Sequence, residues 1–554
     1  MFTLSAAMAA VVSPLRAAPS AEERARAFIA AHEARVRPLE KQSSLAWWNA
    51  NVTGKDAEFK AKEEAQNQLD AALSDRARFA EVKSLKSARI KDPLLRRQID
   101  LFHLQYLEKQ VDPELLKKMS AKANGIEQAF NVFRAQVNGK ELADSDVRKV
   151  LKESKDSVAR RQAWEASKRV GAVVEKDLRE LVKLRNEAAR QLGFKDFHVM
   201  SLALSEQDQK EVLRLFDELD QLTREPFRRA KAEIDARLAQ NYGVGVEALR
   251  PWHYHDPFFQ EPPAVFDANL DTAFAKVDLL KLGRDYYAGL GLPIDDVIAR
   301  SDLYEKPGKS PHAFCTDIDR EGDVRVLCNI VSNYYWMRVS LHELGHATYS
   351  SKYIPASVPY SLRTEAHMFC TEGVAMMFDR AASNADWLRA MGVPLDDARA
   401  FRETSTRMLR HRLLITSRWG QVMFRFEMAM YANPDQDLNK LWWDLAEKYQ
   451  SLTRPEGRNA PDYASKIHIV SSPAYYHNYM MGELFASQVH HAIARDVLKT
   501  KPADALYAGH RAVGDYMKQR VYGPGRTLPW NDLMKFATGS KLNPRAFAAD
   551  FQGD

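Results

Sequence analysis

Apolar residues in the first half of the chain recur at helical spacing, and this pattern restricts the fold more than any other feature. From about residue 20 to residue 240 they return at intervals of three and four, as in Leu178, Leu181 and Leu184. Ser20 is followed by Glu23, a pairing that caps the start of a helix. Proline is sparse in this half. The sequence therefore predicts a mainly α fold whose first half serves as scaffold.

Length and charge set the scale of the fold and exclude some partners. With 554 residues, of which 45% are hydrophobic, the chain is too long for one simple core, and we expect two lobes built from interleaved segments. The net charge is +6, from 80 basic and 74 acidic residues without a basic block, so we expect no nucleic-acid partner. Beyond the amino terminus, no apolar run reaches the roughly 18 residues of a transmembrane segment.

Residues 341–347 contain the pattern His-Glu-x-x-His. Residues four apart on a helix share one face, so His342 and His346 can direct two imidazoles at one tetrahedral Zn²⁺. Glu343 lies beside them, where it can take a proton from the attacking water. The apolar-rich run just before the motif would bury the site. The sequence therefore predicts one zinc ion on a helix.

A hydrolytic zinc site also needs a third protein ligand. Glu365, Glu372 and Asp379 follow the motif at intervals of seven residues, so we expect one helix to carry all three on one face. Only one of them is expected to contact the metal, and another would orient a histidine. From the residues alone, Glu365 and Glu372 are both candidates for the ligand.

A second group of chemically active side chains lies in residues 466–480. Attack on a peptide carbonyl creates a negative oxygen, which a neutral histidine or a tyrosine hydroxyl can stabilise. His468, Tyr476 and Tyr479 offer both groups, and the two tyrosines would share a helix face. Taken alone, this cluster is more typical of a tyrosine-rich core helix with a stray Lys466. Its order after the zinc motif favours the functional interpretation.

Several short segments along the chain carry a resemblance to a known family. They are Ala46–Gly54, Ser361–Arg363 ahead of Glu372, and Lys466–Ser472, which reads Lys-x-His-Ile-x-Ser-Ser and is followed by Tyr-x-x-Tyr. These segments resemble peptidyl-dipeptidase A, the angiotensin-converting-enzyme family. The stretch 308–350 also resembles the thimet oligopeptidase and oligoendopeptidase F enzymes. The resemblance is patchy but reaches from about residue 20 to about residue 500.

This resemblance implies a fold and an activity. The fold would be a two-lobed helical ellipsoid with a deep central cleft and a small antiparallel β-sheet beside the metal helix. Residues 21–554 would form a single catalytic unit. The activity would be zinc-dependent hydrolysis of short peptides, with dipeptides released from the carboxyl terminus.

The resemblance also implies the metal ligands and the base. His342, His346 and Glu372 would bind the Zn²⁺, with Glu372 chosen over Glu365 because of the Ser-Leu-Arg ahead of it. Glu343 would activate water and later protonate the leaving amine.

Roles for the second cluster follow in the same way. His468 and Tyr479 would serve the reacting carbonyl, and Lys466 and Tyr476 would hold the terminal carboxylate of the substrate. This chain has one more residue before the tyrosine pair than the family has, so Tyr475 is an alternative to Tyr476.

Three departures from the family pattern affect these expectations. Asn478 stands where the family has an arginine that binds an activating chloride, so we expect no dependence on chloride through that site. Met376 stands where the family has an aspartate, and Asp379 is the candidate to replace it. The glutamine that anchors the substrate terminus has no clear match near Trp252–Tyr254.

Residues 309–318 and 323–330 alternate like two strands and directly precede the zinc motif. In zinc peptidases of this type, a strand edge beside the metal binds the extended substrate backbone. By analogy, we expect Ala313 and Thr316 to line the substrate, the alternative being a small sheet that only supports the helix.

The turn between these strands determines how two cysteines are placed. With Glu321 and Gly322 as the turn, Cys315 would lie directly opposite Cys328, close enough for a disulfide. Two small buried thiols are the equal alternative, and Cys370 is expected to be a core thiol.

The amino terminus carries an ambiguous leader, residues 1–20. Leu4–Val12 is an apolar run of signal-peptide length, yet no basic residue precedes it and Arg16 follows. We expect export to the periplasm or the medium, with a disordered cytoplasmic leader as the alternative.

Two other functions fit parts of the sequence. An aminopeptidase would use Glu365 as its third ligand, but the Gly-x-Met-Glu-Asn segment of such enzymes is absent. A non-catalytic peptide-binding protein with a relic metal site is the third hypothesis.

Overall fold

A computed structural model describes residues 19–265 and 269–552, and this part of the chain is mainly helical. The apolar run Leu4–Val12 lies outside the described residues, so export stays a prediction. Within the described part, no helix combines the length and the apolar character needed to cross a lipid bilayer.

The α-helices follow one another along the whole described chain. The first ten are α1 (Ala21–Thr53), α2 (Asp56–Leu73), α3 (Arg76–Ser87), α4 (Pro93–Glu108), α5 (Pro113–Val132), α6 (Asp144–Glu153), α7 (Ser157–Gln191), α8 (Phe197–Leu204), α9 (Gln209–Tyr242) and α10 (Leu279–Gly289). The others are α11 (Asp295–Arg300), α12 (Tyr334–Thr348), α13 (Met368–Asp379), α14 (Ala385–Ala390), α15 (Ala398–Ala432), α16 (Leu438–Leu445), α17 (His468–Ser471), α18 (His477–Ile493), α19 (Arg511–Tyr516), α20 (Trp530–Thr538) and α21 (Arg545–Ala549).

Side chains at the helix starts explain many of these boundaries. Ser20 and Glu23 form the predicted reciprocal cap of α1. Aspartate side chains accept the free amide hydrogens at the starts of α3, α4, α5, α7, α8, α9, α10, α15 and α16. Each such cap stabilises its helix by about 1 kcal/mol, which fixes the ends of long helices in a chain with few prolines.

One hairpin interrupts the half that the sequence predicted to be helical. Strands β1 (Ala135–Val137) and β2 (Lys140–Leu142) pair antiparallel around Asn138 and Gly139. Both turn residues have positive φ, 50° and 76°. Asn-Gly is the preferred pair for such a turn, so the prediction of helix was wrong here because local turn chemistry prevailed.

The second hairpin lies beside the motif helix, as predicted, but with a different register. Strands β3 (Phe314–Asp317) and β4 (Val324–Leu327) place Cys315 opposite Val326 instead of Cys328. The predicted two-residue turn was wrong because the loop is longer. The Asp319 carboxylate accepts the amides of Glu321 (2.9 Å) and Asp323 (3.2 Å), which closes this larger loop.

The three cysteines are free thiols. The shifted register separates Cys315 from Cys328 along the hairpin, and both carry unbridged sulfurs. Cys370 is fully buried on α13, as predicted for a core thiol.

Among the described residues, the buried apolar side chains form two large cores, a smaller one and two clusters of three residues each. The largest gathers side chains from α9, α10, α12, α13, α18 and the carboxyl-terminal helices. The second gathers side chains from α6, α7, α16 and the second half of α15, and the third belongs to α1–α4. Helix α15 contributes to both large cores, Leu414 to the first and Phe426 to the second. The two cores are therefore interleaved along the chain, whereas the ellipsoid and the cleft stay predictions.

Candidate active site

Helix α12 presents the two motif histidines on one face, as the spacing predicted. The imidazole Nε2 atoms of His342 and His346 lie 3.2 Å apart. Asn333 caps the start of the helix, and its side chain accepts the amide of Trp336. Gly345 lets α13 approach closely, because a Cβ there would lie 3.0 Å from the Cα of Ala375. The helix therefore presents the histidines directly to α13.

Glu372 completes a triangle of ligand atoms with the two histidines. Its Oε2 lies 3.5 Å from His342 Nε2 and 3.8 Å from His346 Nε2. Ligands at about 2.0–2.1 Å from a tetrahedral zinc ion are about 3.4 Å from one another. The edges of this metal triangle, His342, His346 and Glu372, therefore match one Zn²⁺. Among the described residues, these three form the candidate metal cluster.

Small residues bring a third helix to the same place. A Cβ at Gly373 on α13 would lie 2.8 Å from the carbonyl oxygen of Gly482 on α18. A Cβ at Gly482 would lie 3.3 Å from the Cβ of Glu372. Because both crossing residues are glycines, α18 packs directly against α13 beside Glu372. Helix α18 also carries Tyr479.

Both histidines are oriented through their second ring nitrogen. Nδ1 of His342 lies 3.2 Å from an oxygen of Asp379, and Nδ1 of His346 lies 2.8 Å from the hydroxyl of Thr371. Such partners fix the ring so that Nε2 faces the metal position. Asp379 thus lies where it can replace the aspartate absent at Met376. Arg412 lies 3.6 Å from its other oxygen and helps to compensate its charge.

The charges of the triangle favour a cation at its centre. Burial opposes a charge on His342, but hydrogen bonds to Asp379 and Glu372 prevail and raise its pKa to about 10. Burial lowers the pKa of His346 to about 4. Burial opposes the charge of Glu372 as well, yet the hydrogen bond from His342 leaves its pKa below the ordinary value. An ionised Glu372 beside two imidazoles, one of them oriented by Asp379, is a suitable donor set for Zn²⁺.

Glu343 is buried, follows His342 directly on α12 and is not one of the three residues of the metal triangle. Burial raises its pKa to about 7, with His342 acting in the opposite direction. The hairpin borders it. Burial and then the charge of Glu343 raise the pKa of the Cys315 thiol on β3. Strand β3, which contains Thr316 and follows Ala313, therefore lies beside the predicted base.

Glu365 does not belong to the metal cluster of the structure. The three acidic residues do not share one helix, because α13 begins only at Met368. Glu365 lies before that helix, where the hydroxyl of Thr364 donates to its carboxylate. The spacing of seven residues predicted one helix for all three, but His367 caps the start of α13 after Glu365. The His367 Nδ1 accepts the amide of Phe369.

The second cluster is an irregular stretch, residues 466–479, which we call the anchor segment. It begins at Lys466, directly after a short 3-10 helix. The four residues of α17 follow, and a loop then leads into the start of α18. Its rings form a chain of contacts. Tyr476 lies 5.5 Å from His468 and 5.4 Å from Tyr479, between ring centroids. The Lys466 ammonium lies 5.4 Å from the centre of the Tyr476 ring.

Tyr475 and Tyr476 face different neighbours. The Tyr475 hydroxyl contacts the sulfur of Met368, the first residue of α13, at 2.6 Å. Burial and then the charge of Glu372 raise the pKa of Tyr475 and of Tyr479, so both phenols lie near the metal triangle. Tyr476 instead lies beside Lys466. The anchor segment therefore connects the triangle to a lysine pocket.

Gln260 is a residue that the sequence did not single out. Its side-chain oxygen accepts a hydrogen bond from the Lys466 ammonium at 2.6 Å. It lies in the proline- and ring-rich loop that follows Trp252, but 206 positions separate it from Lys466. The only sequence signal for this contact is the place of Gln260 in that loop.

Asn478 is held by a neutral partner. Gln207 donates its amide to the Asn478 side-chain oxygen at 2.8 Å, and Gln207 Oε1 lies 2.7 Å from Nε2 of the adjacent His477. Both amide residues are buried. The position of the family arginine is thus filled by direct hydrogen bonds between uncharged groups.

Comparisons with known proteins agree with this geometry. A peptidase M2 family model, described as angiotensin-converting enzyme, matches residues 19–249 and 254–552. The angiotensin-converting enzyme of Sus scrofa is 23% identical over 68% of this chain and 31% of its own length, and that of Bos taurus is 22% identical over 96% and 43%. The angiotensin-converting enzyme-like protein Ace3 of Mus musculus is 23% identical over 96% of this chain and 76% of its own length.

The chain spans less than half the length of the pig and bovine relatives that it matches. The family model, however, covers almost all of this chain, including the metal triangle and the anchor segment. The chain therefore belongs to the angiotensin-converting-enzyme family of zinc metallopeptidases.

Proposed function

We propose that this chain is a zinc-dependent peptidyl-dipeptidase that acts on short peptides. The observation that carries the proposal is the metal triangle, whose three edges of 3.2, 3.5 and 3.8 Å suit one tetrahedral ion. His342, His346 and Glu372 would hold Zn²⁺, which when bound acts as a Lewis acid and makes water acidic.

Glu343 is the general base of this proposal. It follows the ligand His342 directly on α12, and its charge acts on Cys315 of β3, the strand that would hold the substrate. Its carboxylate would take a proton from the attacking water and return it to the leaving amine. The backbone of Ala313 and Thr316 would pair with the extended substrate, because β3 is paired with β4 on one side only.

His468 and Tyr479 would stabilise the negative oxygen that forms at the attacked carbonyl. Burial lowers the pKa of His468 to about 4, so its imidazole is neutral near pH 7 and can donate one hydrogen bond. The Tyr479 phenol keeps its proton because burial and the charge of Glu372 raise its pKa. Both are donors that would strengthen as charge develops on the carbonyl.

Lys466, Tyr476 and Gln260 would bind the terminal carboxylate and set the length of the released product. The Lys466 ammonium and the Tyr479 ring centroid each lie 5.4 Å from the centroid of the Tyr476 ring, so they are at most about 11 Å apart. Two extended residues span about 7 Å, which fits within this range. A carboxylate at Lys466 with the second peptide bond from the terminus near Tyr479 would give dipeptide release.

Mass spectrometry of products from a mixed peptide library, with and without a chelator, tests this proposal. We expect chelator-sensitive cleavage that removes two residues at a time from the carboxyl end. Peptides with a blocked amine should be cut equally well, whereas an aminopeptidase would leave them intact. Stoichiometric zinc without any cleavage would support the peptide-binding alternative instead.

The base assignment has its own test with a matched control. Glu343→Gln should keep zinc but lower kcat by about 10²–10⁴-fold, the usual contribution of a general base. Glu365→Gln removes a nearby carboxylate that lies outside the metal triangle, and it should retain activity. Persistent turnover in Glu343→Gln would refute the assignment.

A further inference from the structure

The anchor segment carries five predicted site residues but has little regular structure of its own. Before α18 begins at His477, its helical part is α17, which has four residues, and the loop from Ser472 to Tyr476 has no strand partner among the described residues. So short a helix cannot stabilise itself in isolation. Other parts of the protein must therefore fix the positions of Lys466, Tyr475 and Tyr476.

The loop contains a strained residue just before the tyrosines. Ala474 has φ of 53°, in the left-handed region that residues with a Cβ rarely adopt. Such a conformation costs roughly 1 kcal/mol or more and persists only where its surroundings impose it.

Glu427 on α15 supplies the restraint at Ala474. The Ala474 amide donates to Oε1 of Glu427 at 2.8 Å, and the Glu427 side chain is buried, with 1% of the residue exposed. Burial raises the pKa of Glu427 to about 8, although the Ala474 amide and Arg185 act in the opposite direction. Near pH 7 the group is therefore mainly a neutral acid whose carbonyl oxygen accepts the amide.

Arg185 on α7 holds the other side of the segment. It donates to the carbonyl oxygens of Ile469 at 2.9 Å and Val470 at 2.6 Å, and to the Tyr431 hydroxyl at 3.1 Å. The hydrogen bonds of Arg185 and Glu427 to the anchor segment thus go to its backbone. Two helices of the second core therefore hold the segment from behind.

We propose that Glu427 is a positioning residue for the carboxylate pocket: by binding the Ala474 amide, it imposes the turn that directs Tyr475 toward α13 and Tyr476 toward Lys466. This inference rests on the proposed function, because it assigns Glu427 to the same reaction. The contact replaces a hydrogen bond that a loop residue would otherwise make to water.

Three variants separate positioning from general stability. Glu427→Leu removes the acceptor, and Glu427→Gln keeps a neutral acceptor of the same shape. Gln421→Leu on the same helix is the control, because it removes a buried hydrogen bond to the Phe216 carbonyl, away from the anchor segment. The probes are N-acetyl-Phe-Gly-Gly-Leu with a free carboxyl terminus and the same peptide as its carboxamide.

The preference for the free carboxylate is the ratio of kcat/KM for the free-carboxyl peptide to kcat/KM for its carboxamide. We expect this ratio to fall at least about tenfold in Glu427→Leu, which corresponds to about 1.4 kcal/mol. Its zinc content should stay stoichiometric. Glu427→Gln should behave like the wild type, and Gln421→Leu should keep the preference even if its Tm falls. Adding Ala474→Gly to Glu427→Leu should restore part of the preference, because glycine adopts positive φ without strain.

Each result has a defined reading. An unchanged preference in Glu427→Leu, or an equal loss in a folded, zinc-loaded Glu427→Gln, would overturn the positioning role. A wild type that hydrolyses neither the library nor the probes would instead reject the proposed function itself. The two failures are therefore distinguishable.

Discussion

The metal triangle and the anchor segment belong to one site but are built in different ways. The triangle lies on two regular helices, α12 and α13, whose close approach depends on the missing side chain at Gly345. The anchor segment is irregular and is held from outside, by Gln260 at Lys466 and by Glu427 at Ala474. Helical geometry thus fixes where the chemistry would occur, and distant hydrogen bonds fix how the substrate would be aligned.

This comparison predicts that substitutions at the metal triangle mainly weaken zinc binding. Asp379→Asn should weaken zinc binding by about 10–100-fold, because the ring of His342 loses the charged partner that orients it. Competition with a chromophoric chelator measures the change. Asp386→Asn is the control, since it removes an exposed carboxylate that pairs with Arg389 and Arg402. An affinity equal to that of the wild type would show that Asp379 does not orient the ligand.

Damage to the anchor segment should instead affect substrate binding, and it should depend on pH. Burial lowers the pKa of Lys466 to about 8, although Asp256 acts in the opposite direction. The ammonium is charged below this pH and neutral above it. The KM for peptides with a free carboxylate should therefore rise as the pH passes about 8.

Lys466→Met should remove this pH dependence and raise that KM by roughly tenfold near pH 7, since hydrogen bonds to charged groups contribute about 1.5–3 kcal/mol. The KM for carboxamide peptides and the zinc content are the controls, and both should change little between pH 7 and pH 9. Parallel profiles for the two peptides would argue against a carboxylate at Lys466.

The smallest effect is expected for chloride. Asn478 and Gln207 form a buried neutral pair, which gives an anion no charge to compensate. Replacing chloride by acetate at constant ionic strength should change kcat/KM by less than about twofold, because the hydrogen bonds at this position are already satisfied. Strong activation by chloride would mean that an anion site exists elsewhere in the protein.

The difference between the two regions also explains what the sequence could predict. The pairing of His342 with His346 follows from helix periodicity, and Glu372 followed from a resemblance that the family match confirms. Glu365 was placed wrongly because a capping histidine, not the spacing, decides where α13 begins. The hairpin register was wrong because side chains, Asp319 among them, close the loop.

The residues that hold the anchor segment could not be predicted in this way. Gln260 and Lys466 are 206 positions apart, and Arg185 and Ile469 are 284 positions apart. No periodic pattern connects residues over such distances, and only the packed helices bring them together. The same holds for Glu427, whose contact with Ala474 depends on how α15 crosses behind the loop.

The glycine contact between α13 and α18 has a mechanical consequence. Because the backbones touch at Gly373 and Gly482, the two helices cannot slide past each other without breaking that seam. Glu372 on one helix and Tyr479 on the other are therefore held at a fixed separation. Any rearrangement that lets a peptide reach the site would have to bend the chain elsewhere, which would preserve the alignment of these two residues.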